Sequence, residues 1–156
     1  MNAKFYYKSN FAPTPNKPNH IGTTAIIMNE DRKILFEKRS DSDRWALIGG
    51  GLKINETLEA CCKREILEET GLNICNLQQY RIYDDPTRIV EYPDGNILRI
   101  ITVVYTAIVK NDIELVISKE SNELKFFSIP EISNLDVVET HRHIIDDFIT
   151  EISGNN

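Results

Sequence analysis

The apolar and polar positions fall into short alternating runs separated by turn residues, with two stretches of helical period. Residues 22–28 form a β-branched, apolar run, residues 29–33 are polar, and residues 34–37 resume strand character, which predicts a hairpin. An apolar approach at 45–48 leads into Gly49, Gly50 and Gly51, where the chain must turn sharply or come close to another group. A helix is expected next, with Asn55 or Thr57 as its cap, Glu59 in the first turn and Gly71 as its stop. Residues 72–83 have mixed strand character, Asp84, Asp85 and Pro86 mark a loop, and residues 92–96 a tight turn. Residues 97–109 make the strongest strand signal, with shorter strands expected at 113–117 and 124–129. The last helix is expected over 138–152, because His141, Ile144, Ile145, Phe148 and Ile149 recur at helical spacing.

Pro13, Pro15 and Pro18 interrupt the first twenty residues, which read as an extended arm ahead of a single domain over 21–152. Phe5, Tyr6, Tyr7 and Phe11 in that arm are expected to pack it onto the domain or to pair as an edge strand, with base stacking as the rival use. Strands alternating irregularly with two or three helices predict an α/β fold, a mixed sheet between helices. No segment repeats.

Within the first helix the inward stripe changes chemistry. With Leu58 at zero, Cys61 and Cys62 lie at about −60° and about +40°, an apolar stripe. Carried onward, the same azimuth holds Glu65 at about −20° and Glu69 at about +20°, with Glu68 at its edge near about −80°. A solvated acidic patch would sit opposite, beside Ala60, Lys63 and Leu67. Two carboxylates about 5 Å apart repel by roughly 3 kcal/mol at an effective dielectric of about 20, so a partly buried cluster calls for a cation. Oxygen donors without His or Cys favour Mg²⁺, with Mn²⁺ as a substitute, and such ions complete their shells with water and phosphates. A phosphorylated substrate follows.

Charge and cysteine usage narrow the partners. Eighteen basic against twenty-four acidic residues among 156 leave a net charge of −6, which opposes a long nucleic acid while a small nucleotide-like phosphorylated ligand remains compatible. No apolar run is long enough to span a bilayer, and the N-terminus lacks the order of a signal peptide, so a soluble cytoplasmic enzyme without a membrane partner is expected, compatible with a homodimer. Cys61, Cys62 and Cys75 form neither an even framework nor a CxxC pair and are expected to be reduced and core-lining. A serine paired with His141 or His143 has no supporting spacing, and those histidines are expected to cap or flank the last helix.

Gly50, Glu56, Arg64, Glu65, apolar Ile66, Glu68, Glu69, Gly71 and apolar Leu72 stand at the spacing of the complete Nudix box, and the segment GGGLKINETLEACCKREILEETGL resembles that family closely. The resemblance implies an α/β/α sandwich and hydrolysis, by water attack at phosphorus, of a nucleoside diphosphate linked to another moiety. It implies that Glu65, Glu68 and Glu69 coordinate Mg²⁺ with the Gly50 carbonyl as an added ligand, that Arg64 orients a metal-binding glutamate, and that Glu56 braces loop and helix. For the general base the family offers a box glutamate or a late-loop acid; Glu120 is preferred here and Glu123 is its neighbour in that loop. Ile48, Lys53 and Asn55 depart from Pro, Glu and Gly frequent at those places, so no ligand is expected from Lys53. ADP-ribose or a nucleotide sugar ranks slightly ahead of a (d)NTP, on Pro86 in the loop after the box. Trp45, Tyr83 and Tyr92 are candidates to stack on a base. A non-catalytic nucleotide sensor is the remaining alternative; it would be marked by loss of a box glutamate, and none is lost.

Overall fold

The computed structural model describes residues 2–154, in which nine strands and three helices follow one another as β1 Lys4–Tyr6, β2 His20–Met28, β3 Ile34–Arg39, β4 Trp45–Ala46, β5 Ile48–Gly51, α1 Leu58–Thr70, β6 Gln78–Tyr83, β7 Ile89–Glu91, β8 Ile97–Ile108, β9 Ser121–Phe127, α2 Ile129–Ile132 and α3 Glu139–Gly154. Strand alternation builds two cores, one on each face of the sheet. Ala25, Ile27, Leu35, Val103, Tyr105 and Ala107 point to one side, where α1 adds Cys62 and Ile66. Ile26, Ile34, Phe36 and Val104 point to the other, against Ile132 of α2 and Ile144, Ile145 and Phe148 of α3. The expected α/β/α sandwich is therefore present. The sheet is mixed, since β2 runs parallel to β8 from His20↔Ile100 to Met28↔Ile108 and antiparallel to β5.

The expected hairpin closes, but its strands part at once. β2 and β3 pair only at Met28↔Ile34. Beyond that pair β2 continues between β8 and β5, while β3 continues between β9 and β4. A cleft opens between the two ladders, and the site described below lies in it.

Several expectations shift. Residues 72–77 carry no strand; Leu72 and Ile74 are buried all the same, and pairing begins only at Gln78. Residues 113–117 are irregular as well. Ile113 and Leu115 pack on the α1-side core, yet Val116 N–H donates to the Thr70 carbonyl at 2.8 Å, so this segment caps the end of α1. The strand expected at 124–129 starts at Ser121 and stops at Phe127, because Ser128 opens α2 through a capping box with Glu131. Cys75 is exposed, while Cys61 and Cys62 are buried as expected, and all three are free.

The arm is tied down at two places. β1 pairs with β7 at Phe5↔Val90, and between Pro15 and Pro18 Asn16 N–H donates to the Ile97 carbonyl at 3.0 Å. Phe5 is buried, and Tyr7 stacks on His143 with ring centroids 3.8 Å apart.

Thr57 is the α1 cap, its hydroxyl accepting from Ala60 N–H at 3.1 Å, and Gly71 ends the helix at φ 76. A Cβ on Gly71 would meet Val116 Cβ at 3.0 Å. Gly71→Ala combines a left-handed backbone with that contact, so it is expected to cost about 1–2 kcal/mol and lower the melting temperature by roughly 2–8 °C in a thermal melt. An unchanged melt would contradict this role.

Candidate functional site

A cavity of about 460 Å³ lies in the cleft, between Thr23 and Thr24 of β2, Glu37 and Arg39 of β3, the three glycines of β5, and Glu65 and Glu69 of α1. That volume lies within the range of small-molecule sites. Gly50 has no side chain for a steric reason, since a Cβ there would stand 2.3 Å from Glu65 Cδ. Bare backbone and a helix carboxylate thus share one wall.

The azimuth argument holds residue by residue. Cys61, Cys62, Ile66 and Glu69 are buried on the inward face, whereas Leu67 is 51% exposed on the outer one. Glu69 accepts from Gly49 N–H at 3.2 Å. Burial, with the Glu37 and Glu65 carboxylates beside it, pushes the Glu69 carboxyl up to about 9. Burial likewise raises Glu65.

Arg64 organises the rim. It gives two hydrogen bonds to Glu56, at 2.9 and 2.6 Å, one to Glu65 at 2.8 Å, one to Glu68 at 3.2 Å and one to the Gly51 carbonyl at 3.1 Å. Glu56 also accepts from Lys53 N–H at 2.8 Å, and hydrogen bonding from Arg64 takes its carboxyl down to about 2. Arg64 and Glu56 therefore lock the glycine strand to the helix. Charge-assisted, bidentate geometry of this kind gives orientation as well as energy.

Glu68 is more exposed than its neighbours in the cluster, with a side-chain exposure of 54% against 14% for Glu65. Among the described residues, no three His, Cys, Asp or Glu side chains already converge on one ligation point. Arg64 draws Glu65 and Glu68 toward itself. The donor set still suits a hard divalent cation. Glu69 is 6% exposed with no basic side chain bonded to it among the described residues, and the glycine backbone leaves room where a Cβ would fill the cradle.

Glu120 lines this cavity as well and is exposed, with its carbonyl accepting from Ser40 N–H at 3.2 Å and Ser40 Oγ at 2.8 Å. Glu123 does not line the cavity; it pairs with Lys38 along β9.

Of the three stacking candidates, Tyr92 lines the cavity, Trp45 packs edge-on against Phe127 at 4.8 Å, and Tyr83 donates to Asp147 at 2.9 Å. Pro86 is exposed and does not line it. His141 does, with Nδ1 accepting from Leu47 N–H at 3.0 Å, and its burial holds the ring neutral. His143 accepts from Arg88 Nε at 3.0 Å and bonds its own helix at the Glu139 carbonyl, so both histidines brace α3.

Sequence patterning did not single out Glu37. It is 5% exposed, and its burial pushes the carboxyl up to about 6. The signal was present in the alternation of β3, because Leu35 faces α1 and a residue two positions on must face the same way. Phe5 from the arm also reaches the cavity, with the Arg39 guanidinium 5.1 Å from its ring.

Comparison with known proteins agrees with this arrangement. The NUDIX domain profile matches residues 18–148. A nucleoside triphosphatase NudI from Enterobacter sp. (strain 638) is 30% identical over 125 residues, 75% of this chain and 87% of that protein. An ADP-ribose pyrophosphatase from Methanocaldococcus jannaschii is 30% identical over 134 residues, 82% of this chain and 72% of that protein. The NUDIX domain of Shewanella oneidensis NrtR, solved in complex with ADP ribose, superposes with a TM-score of 0.72 at 20% identity, covering 92% of this chain and 94% of that one, and attests the fold. The chain spans about half the length of two further curated relatives, 44% of one and 54% of the other. No helix among the described residues is long and apolar enough to cross a membrane. With the box glutamates gathered on α1 at the glycine strand and a family match over most of its length, this chain belongs to the NUDIX domain family.

Proposed function

We propose that the protein is a Mg²⁺-dependent hydrolase of a phosphoanhydride bond in a nucleoside diphosphate linked to another moiety, with ADP-ribose or a nucleotide sugar ahead of a (d)NTP. The observation that carries this reading is Glu69. It is a carboxylate buried against glycine backbone, in a cavity shared with Glu65 and Glu120, and no basic side chain bonds it among the described residues.

Glu65, Glu68 and Glu69 hold the ion, with the Gly50 carbonyl as an added donor. Mn²⁺ is the expected substitute. A divalent ion bound there neutralises phosphoryl charge and acidifies water. Arg64 fixes Glu65 and Glu68 in position, and Glu56 fixes Arg64. Glu120, which lines the same cavity, takes the proton of the attacking water. The wall lined by Phe5, Tyr92, Ile100 and Thr102 receives the nucleoside. The net charge of −6 argues against a long nucleic acid as partner, although a short 5′ end fits the same chemistry.

The Methanocaldococcus relative supports ADP-ribose over most of the chain. The Enterobacter relative, at equal identity, supports a nucleoside triphosphate as the second reading. A panel of NTPs, dNTPs, dinucleoside polyphosphates, ADP-ribose, nucleotide sugars and NADH, incubated with Mg²⁺ and read by phosphate release after phosphatase coupling, tests both. ADP-ribose or a nucleotide sugar is expected to be cleaved fastest. Faster cleavage of a (d)NTP would reverse the order, and silence across the panel with clean ligand binding would establish a sensor instead.

A further inference from the structure

We propose that Glu37, delivered by β3 and not by the box helix, supplies an additional oxygen donor to the divalent cation held by Glu65 and Glu69. This rests on the metal reading above and extends it to a residue outside the box.

Glu37 and Glu69 are 5% and 6% exposed and line the same cavity. Each has a single hydrogen-bond donor among the described residues, Ser121 Oγ to Glu37 at 2.6 Å and Gly49 N–H to Glu69 at 3.2 Å. Neither donor is a cation, and one oxygen of each carboxylate is left without a partner.

The nearby basic groups are committed elsewhere. Arg39 is engaged by both oxygens of Asp41, at 2.8 and 2.5 Å, and Lys38 lies 3.8 Å from Asp43. Burying two carboxylates in one cavity is costly, and the one guanidinium lining it among the described residues, that of Arg39, is already bonded to both oxygens of Asp41, so a fold that keeps both in place retains a hole for a cation.

The backbone is shaped to hold Glu37 there. β9 pairs with β3 at Lys38↔Glu123 and then at Arg39↔Ser121, a register shift that skips Asn122. The irregularity brings the buried Ser121 hydroxyl onto Glu37. Bulges near active sites commonly re-aim a side chain in this way. An extra carboxylate raises the charge count of an oxygen shell and so its affinity. The bland alternative is a structural pair that shares a proton and never meets metal.

Mn²⁺ binding without substrate separates the two, read from the electron paramagnetic resonance signal of free Mn²⁺ in the full chain. Glu37→Gln is expected to weaken binding at least about 10-fold, on the scale of losing an outer partner or more of a metal site. Glu37→Asp should fall between it and the parent, and Glu69→Gln should weaken binding further. Parent-like Mn²⁺ affinity in Glu37→Gln, with loss in Glu69→Gln, would overturn the role of Glu37 and leave the box reading intact. If Glu37→Gln fails to fold, Ser121→Ala carries the test. It frees the same side chain, so weaker Mn²⁺ binding supports the proposal and unchanged affinity overturns it. Absence of Mn²⁺ uptake by the parent would overturn both the metal reading and this extension.

Discussion

Glu69→Gln is expected to lower Mg²⁺-dependent turnover by at least about 10²-fold, the scale of losing a positioned catalytic group, and to leave the metal-free protein as stable as the parent or more so. The two halves of this result have one cause. Glu69 is buried beside Glu37 and Glu65, and that environment keeps its carboxyl protonated up to about 9. Glutamine resembles the protonated acid in shape and in neutrality, so the empty fold loses nothing. The loaded site loses a charge it cannot replace. A residue whose value was structural would behave the other way, with a lower melting temperature in EDTA and a smaller effect on rate. Glu68→Gln should cost a similar factor in turnover, and being largely exposed it should leave the melt in EDTA unmoved. Full activity in either variant on a verified substrate would sink the assignment of the box carboxylates.

The contrast between Glu69 and Glu37 shows how far the chain alone could be read. Glu69 was legible because a 3.6-residue period propagates a face along a helix, and Leu58, Cys61 and Cys62 had already declared which face was inward. Arg64 was assigned by resemblance, and its four partners explain that assignment physically. Glu37 carried an equally valid period-2 signal. It went unused because a charged residue near the end of a short apolar run also reads as the place where a strand meets solvent. What brings Glu37 to the site is the parting of β2 from β3 after one pair, and that depends on β8, β5 and β9, which lie far along the chain. The same non-local logic explains residues 113–117. Their apolar alternation is real, but a strand needs a neighbour, and the nearest free backbone acceptor was the end of α1. Phe5 and Tyr92 reach the cavity through a similar event, the pairing of β1 with β7, which no local pattern in a proline-broken arm specifies.

Melting of the metal-free protein is expected to become easier as pH rises from 7 to 8.5, and Mg²⁺ is expected to weaken or reverse that trend. The folded Glu69 carboxyl sits at about 9 against an ordinary 4.5, so above 4.5 the folded state keeps a proton that the unfolded chain has released. Stability tied to that proton is complete below the unfolded value and is lost as pH climbs toward the folded one. Glu37, raised to about 6, acts in the same direction but below this window, its contribution being lost before pH 7. The window is chosen to keep other groups silent. His141 and His143 are pushed below their ordinary 6.5, and His143 to about 4, so both are neutral throughout, while burial moves the Cys62 thiol from 9.0 to about 12. One retained proton gives a slope of about 1.4 kcal/mol per pH unit, hence a loss of about 2 kcal/mol across the window, or roughly 4–8 °C in melting temperature. Mg²⁺ takes the place of the proton and binds better as the carboxylates ionise, so its stabilisation should grow with pH. Melts in EDTA and in excess Mg²⁺, run across the window for the parent and for Glu69→Gln, separate this from general alkaline destabilisation. The variant should show a flatter EDTA profile and little response to Mg²⁺. A parent profile that is flat or rising in EDTA would mean that Glu69 is ionised in the empty fold, compensated by a cation that the chain itself supplies.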